Sequence, residues 1–488
     1  MTITESELLA KVPTNLYIDG KWVQGNGAPI EVEDPATGKV LVEISNADAS
    51  DALAALSAAD NAQVAWAKTA PRERAEILRR TFDLVRARSE EFAMLISLEM
   101  GKPLAEARGE VTYGNEFLRW FSEEAVRVTG RYNTNPEGTG KILIAKRPVG
   151  PAFAITPWNF PLAMATRKIG PALAAGCTIV VKPAELTPLT TLLLVKTFEE
   201  AGVPAGVINV ITTSTSAATS APVIADHRLR KITFTGSTQV GRKLLEQASE
   251  RVLRTSMELG GNAPFVVFED ADIDAAVSGA MLAKMRNIGQ ACTAANRFIV
   301  HEDVADEFAQ KFAAKMAELK LGRGVAEGTT CGPVINAAAQ KNMQSLVDTT
   351  VSEGANVITG GEAPDGSGYF FEPTVIDNVK PDSKIWTQEI FGPIAPITRF
   401  QTEEEGVRLA NDTEYGLVSY AYTSNAKRQL RLIETLDTGM TGINSGLVSN
   451  AAAPFGGTKA SGLGREGGAE GIDEYLEIKY AFIPDPFA

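Results

Sequence analysis

The sequence predicts an α/β fold of two open parallel-sheet domains carrying a small projecting β arm. Three observations predict it. From about residue 150 to 259, short apolar runs alternate with amphipathic segments. A second series of the same kind starts just after Gly260 and Gly261, which mark a hinge. Between the first helical stretch and the first series, residues 127–150 break the pattern with central turn residues and strand-like ends. Short β-branched runs separated by helices mean βαβ units, whose crossover helices cover a parallel sheet.

Taken in order, "NLYIDGKWV" and "KVLVEIS" predict two short strands. Apolar periodicity predicts a helix from 51 to about 68. A second helix starts at Pro71 and puts Ile77, Leu78, Phe82 and Val85 on one face. A third runs through Met100 and stops at "GKP", where Gly101 and Pro103 form a stop signal. "RVTGRYNTNPEGTGKILIAKRPVG" predicts a hairpin or extended arm that projects instead of building a core. The first alternating series is "AFAI", "FPLAMATRKIGPALAAG", "CTIVVK", "LTTLLLVKTFEEAG", "GVINVI", a polar helix-like stretch, "KITFTG" and "TQVGRKLLEQAS". The second passes through "APFVVF", "RFIVH", "ANVITG", "IAPITRF", "VSYAYT" and "TGINSG". The closing "EYLEIKYAFIP" reads as an exposed strand, free to add to a neighbouring subunit's sheet. The expected division is therefore 1–126 with 151–259 as one domain, 260–445 as the second, and 127–150 with 470–488 as the arm and C-terminal strand.

Composition narrows the function. A net charge of -13 argues against nucleic acid and against an anionic membrane surface, which are bound through excess Lys and Arg. No apolar run approaches the roughly 18 residues of a spanning helix. The N-terminal stretch has acidic residues where a signal peptide has a basic end and an apolar run. Cys177, Cys292 and Cys331 have no paired spacing, so disulfides are not expected and a reducing cytoplasm is the expected setting. Two histidines, His227 in "IADHRLR" and His301 in "FIVHEDV", are too few for a His-based metal cluster, so no metal is expected. Both read as surface residues. A reactive cysteine in this chain would then take a carboxylate or water as its base.

"RNIGQACTAANR" supplies the candidate. Cys292 sits among Gly289, Ala291, Ala294 and Ala295, small neighbours that leave a thiol room to be approached. A packed structural cysteine is the other reading, and the default for Cys177 and Cys331. Open parallel sheets bind ligands at the carboxyl ends of their strands. Those ends are "ITPWNFP", with Ile155, Thr156, Pro157, Trp158 and Asn159; "VKPAE", with Lys182 and Glu185; and "FTGSTQVG", with Gly236, Ser237 and Gly241. Glycines opening a helix let backbone N–H groups meet a phosphate. This spacing is neither a P-loop nor G-x-G-x-x-G, so a plain glycine turn also explains it. Glu185 follows the second strand, where an acidic side chain accepts from a ribose diol. A solvated loop glutamate is the alternative.

"TPWNFP", "MELGGNAP", "GQAC", "EIFGP" and "PFGGTKASGLGRE" occur in this order and spacing. On these blocks the chain is identified as a member of the NAD(P)-dependent aldehyde dehydrogenase superfamily, almost end to end. "TPWNFPLAMATRKIGPALAAGC", "MRNIGQAC" and "GREGGAEGIDEYLEIKY" most resemble the succinate-semialdehyde dehydrogenases.

The resemblance implies two Rossmann-like domains, an NAD(P)-binding one (1–126 and 151–259) and a catalytic one (260–445), with an oligomerisation arm making a homodimer or homotetramer. It implies that Cys292 is the nucleophile: a thiol is a few per cent ionised near neutrality and attacks an aldehyde. A thiohemiacetal gives up hydride, and the thioester left behind is hydrolysed. Glu258 matches the base that activates water, its pKa raised by burial. Asn159, with the Cys292 N–H, matches the oxyanion donor. Lys168 matches a residue near Asn159 and Glu258, in a proton relay with Glu466. Glu389 matches the carboxylate on the nicotinamide ribose, and Phe391 packs beside the nicotinamide ring. Trp158 and the residues Ile155, Thr156 and Pro157 before it lie along the cofactor, Gly236 and Ser237 meet the pyrophosphate, and Lys182 and Glu185 bind the adenine ribose. A glutamate there repels a 2′-phosphate and favours NAD over NADP. Arg167, Arg286 and Ser449 match the groups that grip a substrate carboxylate, for which a guanidinium fork is suited.

The chain departs from relatives at Ala294, where some have a second cysteine, so no disulfide switch is expected. Met285 and Thr293 also differ and reshape the pocket. Beside succinate semialdehyde, glutarate semialdehyde or a broad range of aldehydes fits the same blocks. A cofactor-free thiol hydrolase and a binding protein on a dehydrogenase scaffold are the readings from other classes.

Overall fold

The computed structural model describes residues 3–485, so residues 1, 2 and 486–488 of the expected ranges lie outside the described residues. An eight-stranded sheet is ordered Lys21–Val23, Leu16–Ile18, Ile208–Val210, Ile179–Lys182, Ala152–Ile155, Lys231–Thr235, Arg254–Glu258 and Gly462–Leu463. Its five central strands are parallel, and antiparallel strands close both edges. The central strands are Val/Ile-rich and buried along their length, as expected of strands covered by helices on both faces. Strand order reverses between Ala152–Ile155 and Lys231–Thr235, and such a switch point opens a crevice at the carboxyl ends. The residues emerging there are "TPWNFP" and "GST".

The second sheet has seven strands: Asn356–Thr359, Thr374–Asp377, Ile394–Phe400, Ala295–His301, Ala263–Val267, Val418–Tyr422 and Met440–Ile443. All are parallel except Asn356–Thr359. Arg254–Glu258 ends the parallel set of the first sheet, and Ala263–Val267 starts the second only a few residues later. The carboxyl edge of one sheet therefore meets the amino edge of the other. Gly261 sits at the crossing: a Cβ there would lie 2.4 Å from the carbonyl oxygen of Cys292, so only glycine fits. Gly241 has a packing reason as well, since a Cβ would meet Leu259 at 2.4 Å.

The helices expected from 51 and 71 are present as Ala49–Lys68 and Pro71–Ala87. Ser89–Met100 ends on Gly101 in the left-handed region, φ 93°. That "GKP" is a corner, not a stop: Leu104–Glu124 follows at once. This 21-residue helix escaped the sequence reading, as did the strands Gly27–Asp34, Arg254–Glu258 and Thr374–Asp377. The first sheet also takes Gly462–Leu463, which falls outside every expected range and pairs beside Glu258.

The arm is a three-stranded antiparallel sheet of Arg131–Thr134, Gly140–Pro148 and Leu476–Pro484. The C-terminal strand was expected to be free for a neighbouring subunit. It pairs instead with its own chain, from Leu476 opposite Pro148 to Pro484 opposite Gly140. Leu476–Pro484 is nonetheless the outer strand of this sheet, and among the described residues its other edge has no strand beside it, so pairing with a neighbouring subunit stays open to it. Ile478, Tyr480, Phe482 and Leu143 remain exposed on this sheet. His301 is likewise corrected: it is buried, its Nε2 lies 3.0 Å from the Gln401 carbonyl, and Nδ1 accepts from the Asp303 N–H to cap the helix Glu302–Ala317. His227 is exposed as expected. No helix among the described residues is long and apolar enough to cross a membrane.

Candidate active site

The chain reaches Cys292 through a turn of unusual backbone. Asn287 (φ 58°), Ile288 (φ 58°) and Gly289 (φ 73°) are consecutive left-handed residues. A β-branched residue there is strained and persists only where its surroundings over-determine it. They do so here. Asn287 Nδ2 donates to the carbonyls of Gln290 (2.8 Å) and Asn159 (3.0 Å). The Asn287 N–H donates to Glu106 Oε2 at 2.5 Å, and the Ile335 N–H to Gln290 Oε1 at 2.9 Å. Asn159 Nδ2 donates back to the Gln290 carbonyl at 3.0 Å. An amide nitrogen carries two hydrogens, so one remains for a substrate oxygen.

Cys292 is partly accessible to solvent at the bottom of a cavity of about 210 Å³. The same cavity is lined by Pro157, Trp158, Asn159, Gly236, Ser237, Glu258, Glu389 and Phe391, so residues far apart in sequence converge as expected. Ile155, Thr156, Lys182 and Glu185 are not in its wall. They lie on the adjoining sheet edge, with Ile155 in register with Lys182 and the Thr156 N–H on the Lys182 carbonyl at 3.1 Å. A second pocket of about 220 Å³ is lined by Arg286, Ser449, Tyr113, Phe160, Glu106 and Lys102, among others.

Burial dominates the electrostatics. The Cys292 thiol is pushed up to about 12, first by desolvation; Arg167 opposes this, while Glu389 and Glu258 add to it. Burial thus works against the few per cent of thiolate that an ordinary thiol carries near neutrality, while Arg167 and Arg286 work for it. Glu258 is held well above the ordinary carboxylate range by burial and by Glu466, against Arg167 and Lys168. Its Oε2 has no hydrogen-bond partner among the described residues. Burial also lifts Glu389 to about 7, though the Gly261 N–H donates to its Oε1 at 3.1 Å.

Glu466 bridges two neighbouring cations. Arg167 Nε donates to its Oε2 at 2.7 Å, and Lys168 Nζ to its Oε1. Lys168 also donates to Thr235 Oγ1 at 2.7 Å. The Lys168–Glu466 pair is in place, but neither side chain hydrogen-bonds Glu258. Arg167 does not reach the wall of either cavity: its guanidinium faces Glu466 and lies 4.0 Å over the Phe455 ring, while its charge still acts on Tyr113, Glu258 and Cys292. The helix Pro161–Ala175 is buried throughout, so its cations take an internal carboxylate. Arg286 Nη1, by contrast, faces the second pocket and donates to Ser449 Oγ at 3.3 Å.

Several residues were missed: Lys102, Glu106, Glu110 and Tyr113. They belong to the overlooked helix and the corner before it. The signal was present, since 106, 110 and 113 fall on one helical face. Lys102 is fully buried, pairs with Glu110 at 2.5 Å and donates to the Asn159 carbonyl at 2.9 Å. The Tyr113 hydroxyl is buried and faces Ser449, with the charges of Arg167 and Arg286 close by.

The cleft fits a dinucleotide. Trp158 and Phe391 stand edge-to-face at 5.4 Å in its wall. Ser237 caps the helix Thr238–Ser249, whose first N–H groups open toward the same crevice. A Cβ on Gly260 would come within 2.8 Å of Glu389 Oε2, so the backbone there leaves space beside the carboxylate. Gly236 has a second reason to be glycine, because a Cβ would lie 2.4 Å from the Phe234 ring.

Two sheets meeting at a thiol, with a cleft on one side and a pocket holding Arg286, Ser449 and Tyr113 on the other, define a class: enzymes with a cysteine nucleophile between a nucleotide site and a substrate site. The chain belongs to the aldehyde dehydrogenase family, whose model matches residues 22–481. It is 60% identical to a succinate-semialdehyde dehydrogenase of Paenarthrobacter nicotinovorans, over 92% of this chain and 100% of that one. It is 47% identical to a glutarate-semialdehyde dehydrogenase of Pseudomonas putida, over 96% and 97% of the two chains. The crystal structure of an E. coli NADP-dependent enzyme superposes with a TM-score of 0.96 at 45% identity, covering 98% of this chain and 99% of that one.

Proposed function

We propose that this enzyme oxidises succinate semialdehyde to succinate with NAD(P)+. The observation that carries the reading is the placing of Arg286, Ser449 and Tyr113 in one pocket next to the thiol cavity. A short aldehyde with a carboxylate at its far end fits that arrangement. Cys292 Sγ bonds to the carbonyl carbon as its proton leaves to water. The oxygen charge develops against Asn159 Nδ2 and the Cys292 N–H. When bound, the nicotinamide supplies the hydride acceptor. Glu258 then takes a proton from water, which attacks the thioester; the C–S bond breaks and the sulfur recovers a proton. Glu389 and Phe391 hold the nicotinamide half, Gly236 and Ser237 the pyrophosphate, and Lys182 and Glu185 the adenine ribose. The exposed apolar arm supports a homodimer or homotetramer.

Replacing Arg286 by Ala removes a charge-assisted hydrogen bond of about 1.5–3 kcal/mol. The kcat/KM for succinate semialdehyde should fall roughly ten- to a hundredfold. Butyraldehyde, with the same chain length and no carboxylate, should change little. Equal losses for both substrates would make Arg286 structural. Arg167→Ala should behave differently: it leaves buried Glu466 short of a partner and lowers thermal stability, with both substrates affected alike. Glutarate semialdehyde, one methylene longer, is the competing substrate, and the same panel ranks it.

Glu185 favours NAD, because its carboxylate accepts from a 2′-hydroxyl and repels a 2′-phosphate. The similar E. coli structure is of an NADP-dependent enzyme, so the preference needs direct measurement. The wild type should show the larger kcat/KM with NAD, and Glu185→Ser should improve NADP use through KM. A wild type that clearly prefers NADP refutes this assignment.

A further inference from the structure

We propose that Glu106 is a positioning residue for the chemistry at Cys292, acting through Asn287 to hold the nucleophile turn in register with Asn159. This rests on the reading of Cys292 as nucleophile and Asn159 as oxyanion donor. The turn carries two strained non-glycine residues, and strain relaxes when a restraint is lost. Two bonds already tie turn and donor together, Asn287 Nδ2 to the Asn159 carbonyl and Asn159 Nδ2 to the Gln290 carbonyl, while Asn287 Nδ2 to the Gln290 carbonyl braces the turn within itself. Glu106 adds a restraint from the helix Leu104–Glu124, taking the Asn287 backbone N–H.

The same stretch of chain secures Asn159. Lys102 Nζ donates to the Asn159 carbonyl at 2.9 Å, and Glu110 accepts the Leu162 N–H at 2.9 Å while pairing with Lys102. One corner and two helical turns thus fix both oxyanion donors, the Asn159 amide and the N–H of Cys292. Among the described residues Glu106 enters no ion pair, so the Asn287 N–H is its one strong partner. Glu106 also stands in the wall of the pocket read as receiving a substrate carboxylate.

The test uses the full-length enzyme and two reactions of the same thiol. Acylation by p-nitrophenyl acetate passes through an oxyanion. Alkylation by iodoacetamide does not. Glu106→Ala should slow ester acylation and butyraldehyde oxidation roughly ten- to a hundredfold, in line with loss of an oxyanion donor. Alkylation at the same pH should stay within about twofold. Glu106→Gln should restore most of the acylation rate, because its amide oxygen accepts the same N–H. Glu106→Asp, which keeps the carboxylate but shortens the reach, should fall between and covers a poorly folding alanine variant. Unchanged acylation in the Ala and Asp variants overturns the proposal, as does an equal loss of alkylation or a Gln variant no better than Ala. A wild type that forms no acyl-enzyme refutes the Cys292 reading itself, whereas a competent wild type with indifferent Glu106 variants refutes only this inference.

Discussion

Cys292→Ala should show no measurable aldehyde oxidation or ester hydrolysis, a loss on the order of a million-fold as for removal of other enzymic nucleophiles. The thiol divides one difficult displacement into two easier steps, and no other group among those lining the cavity is a comparable nucleophile. Alanine should fit without disturbing the fold, since Ala291 and Ala294 already border the position and only a sulfur is lost. NAD binding should therefore survive, read by quenching of Trp158 in the cavity wall. Appreciable oxidation by the variant, measured as reduced-nicotinamide absorbance, would sink the covalent mechanism. The raised thiol pKa adds a pH test. Only thiolate is alkylated, and the cofactor-free sulfur is pushed up to about 12. Alkylation of the free enzyme should climb about tenfold per pH unit from neutrality through pH 9. A plateau near pH 8 would mean that the thiol is not desolvated.

What the sequence disclosed and what it withheld divide along physical lines. Strands and helices of the two βαβ series were legible because burial on both faces writes continuous Val/Ile runs between amphipathic segments. At Cys292 the small neighbours only admitted an approachable thiol, and the resemblance carried by the surrounding blocks decided between that and a packed cysteine. The helix Leu104–Glu124 was missed because Gly101 and Pro103 look like a terminus, although they turn the chain for only a few residues. Long-range pairings were out of reach. Nothing local to "ATRK" says that Arg167 will share Glu466, almost 300 residues on, with Lys168; only the resemblance paired Lys168 with that glutamate. The C-terminal strand read as unpartnered because its complement lies far upstream at Gly140–Pro148. The thiol's charge state is also a property of the assembled cavity, since the groups that set it come from four separate segments.

Glu258→Gln should separate the two halves of the reaction. Acylation and hydride loss need Cys292 and the oxyanion donors, whereas thioester hydrolysis needs a base for water. The variant should give a stopped-flow burst of reduced cofactor near one per active site. Steady-state turnover should then fall roughly a hundred- to ten-thousandfold, the usual share of a general base. In the wild type, burial and the nearby Glu466 hold the Glu258 proton to higher pH. Hydrolysis should rise with pH along a limb above the ordinary carboxylate range, and the glutamine variant should lose that limb. Stability should move the opposite way. A carboxyl whose folded pKa is raised binds its proton more tightly in the native state than in the unfolded chain. Native stability then declines as pH rises from the unfolded pKa toward the folded one. Glutamine has no charge to bury, so Glu258→Gln should melt at or above the wild-type temperature at pH 8, and the advantage should vanish near pH 4, where both side chains are neutral. A variant that loses the burst shows that Glu258 serves acylation instead. One that melts well below the wild type at pH 8 shows that the ionised carboxylate has a partner holding the fold together.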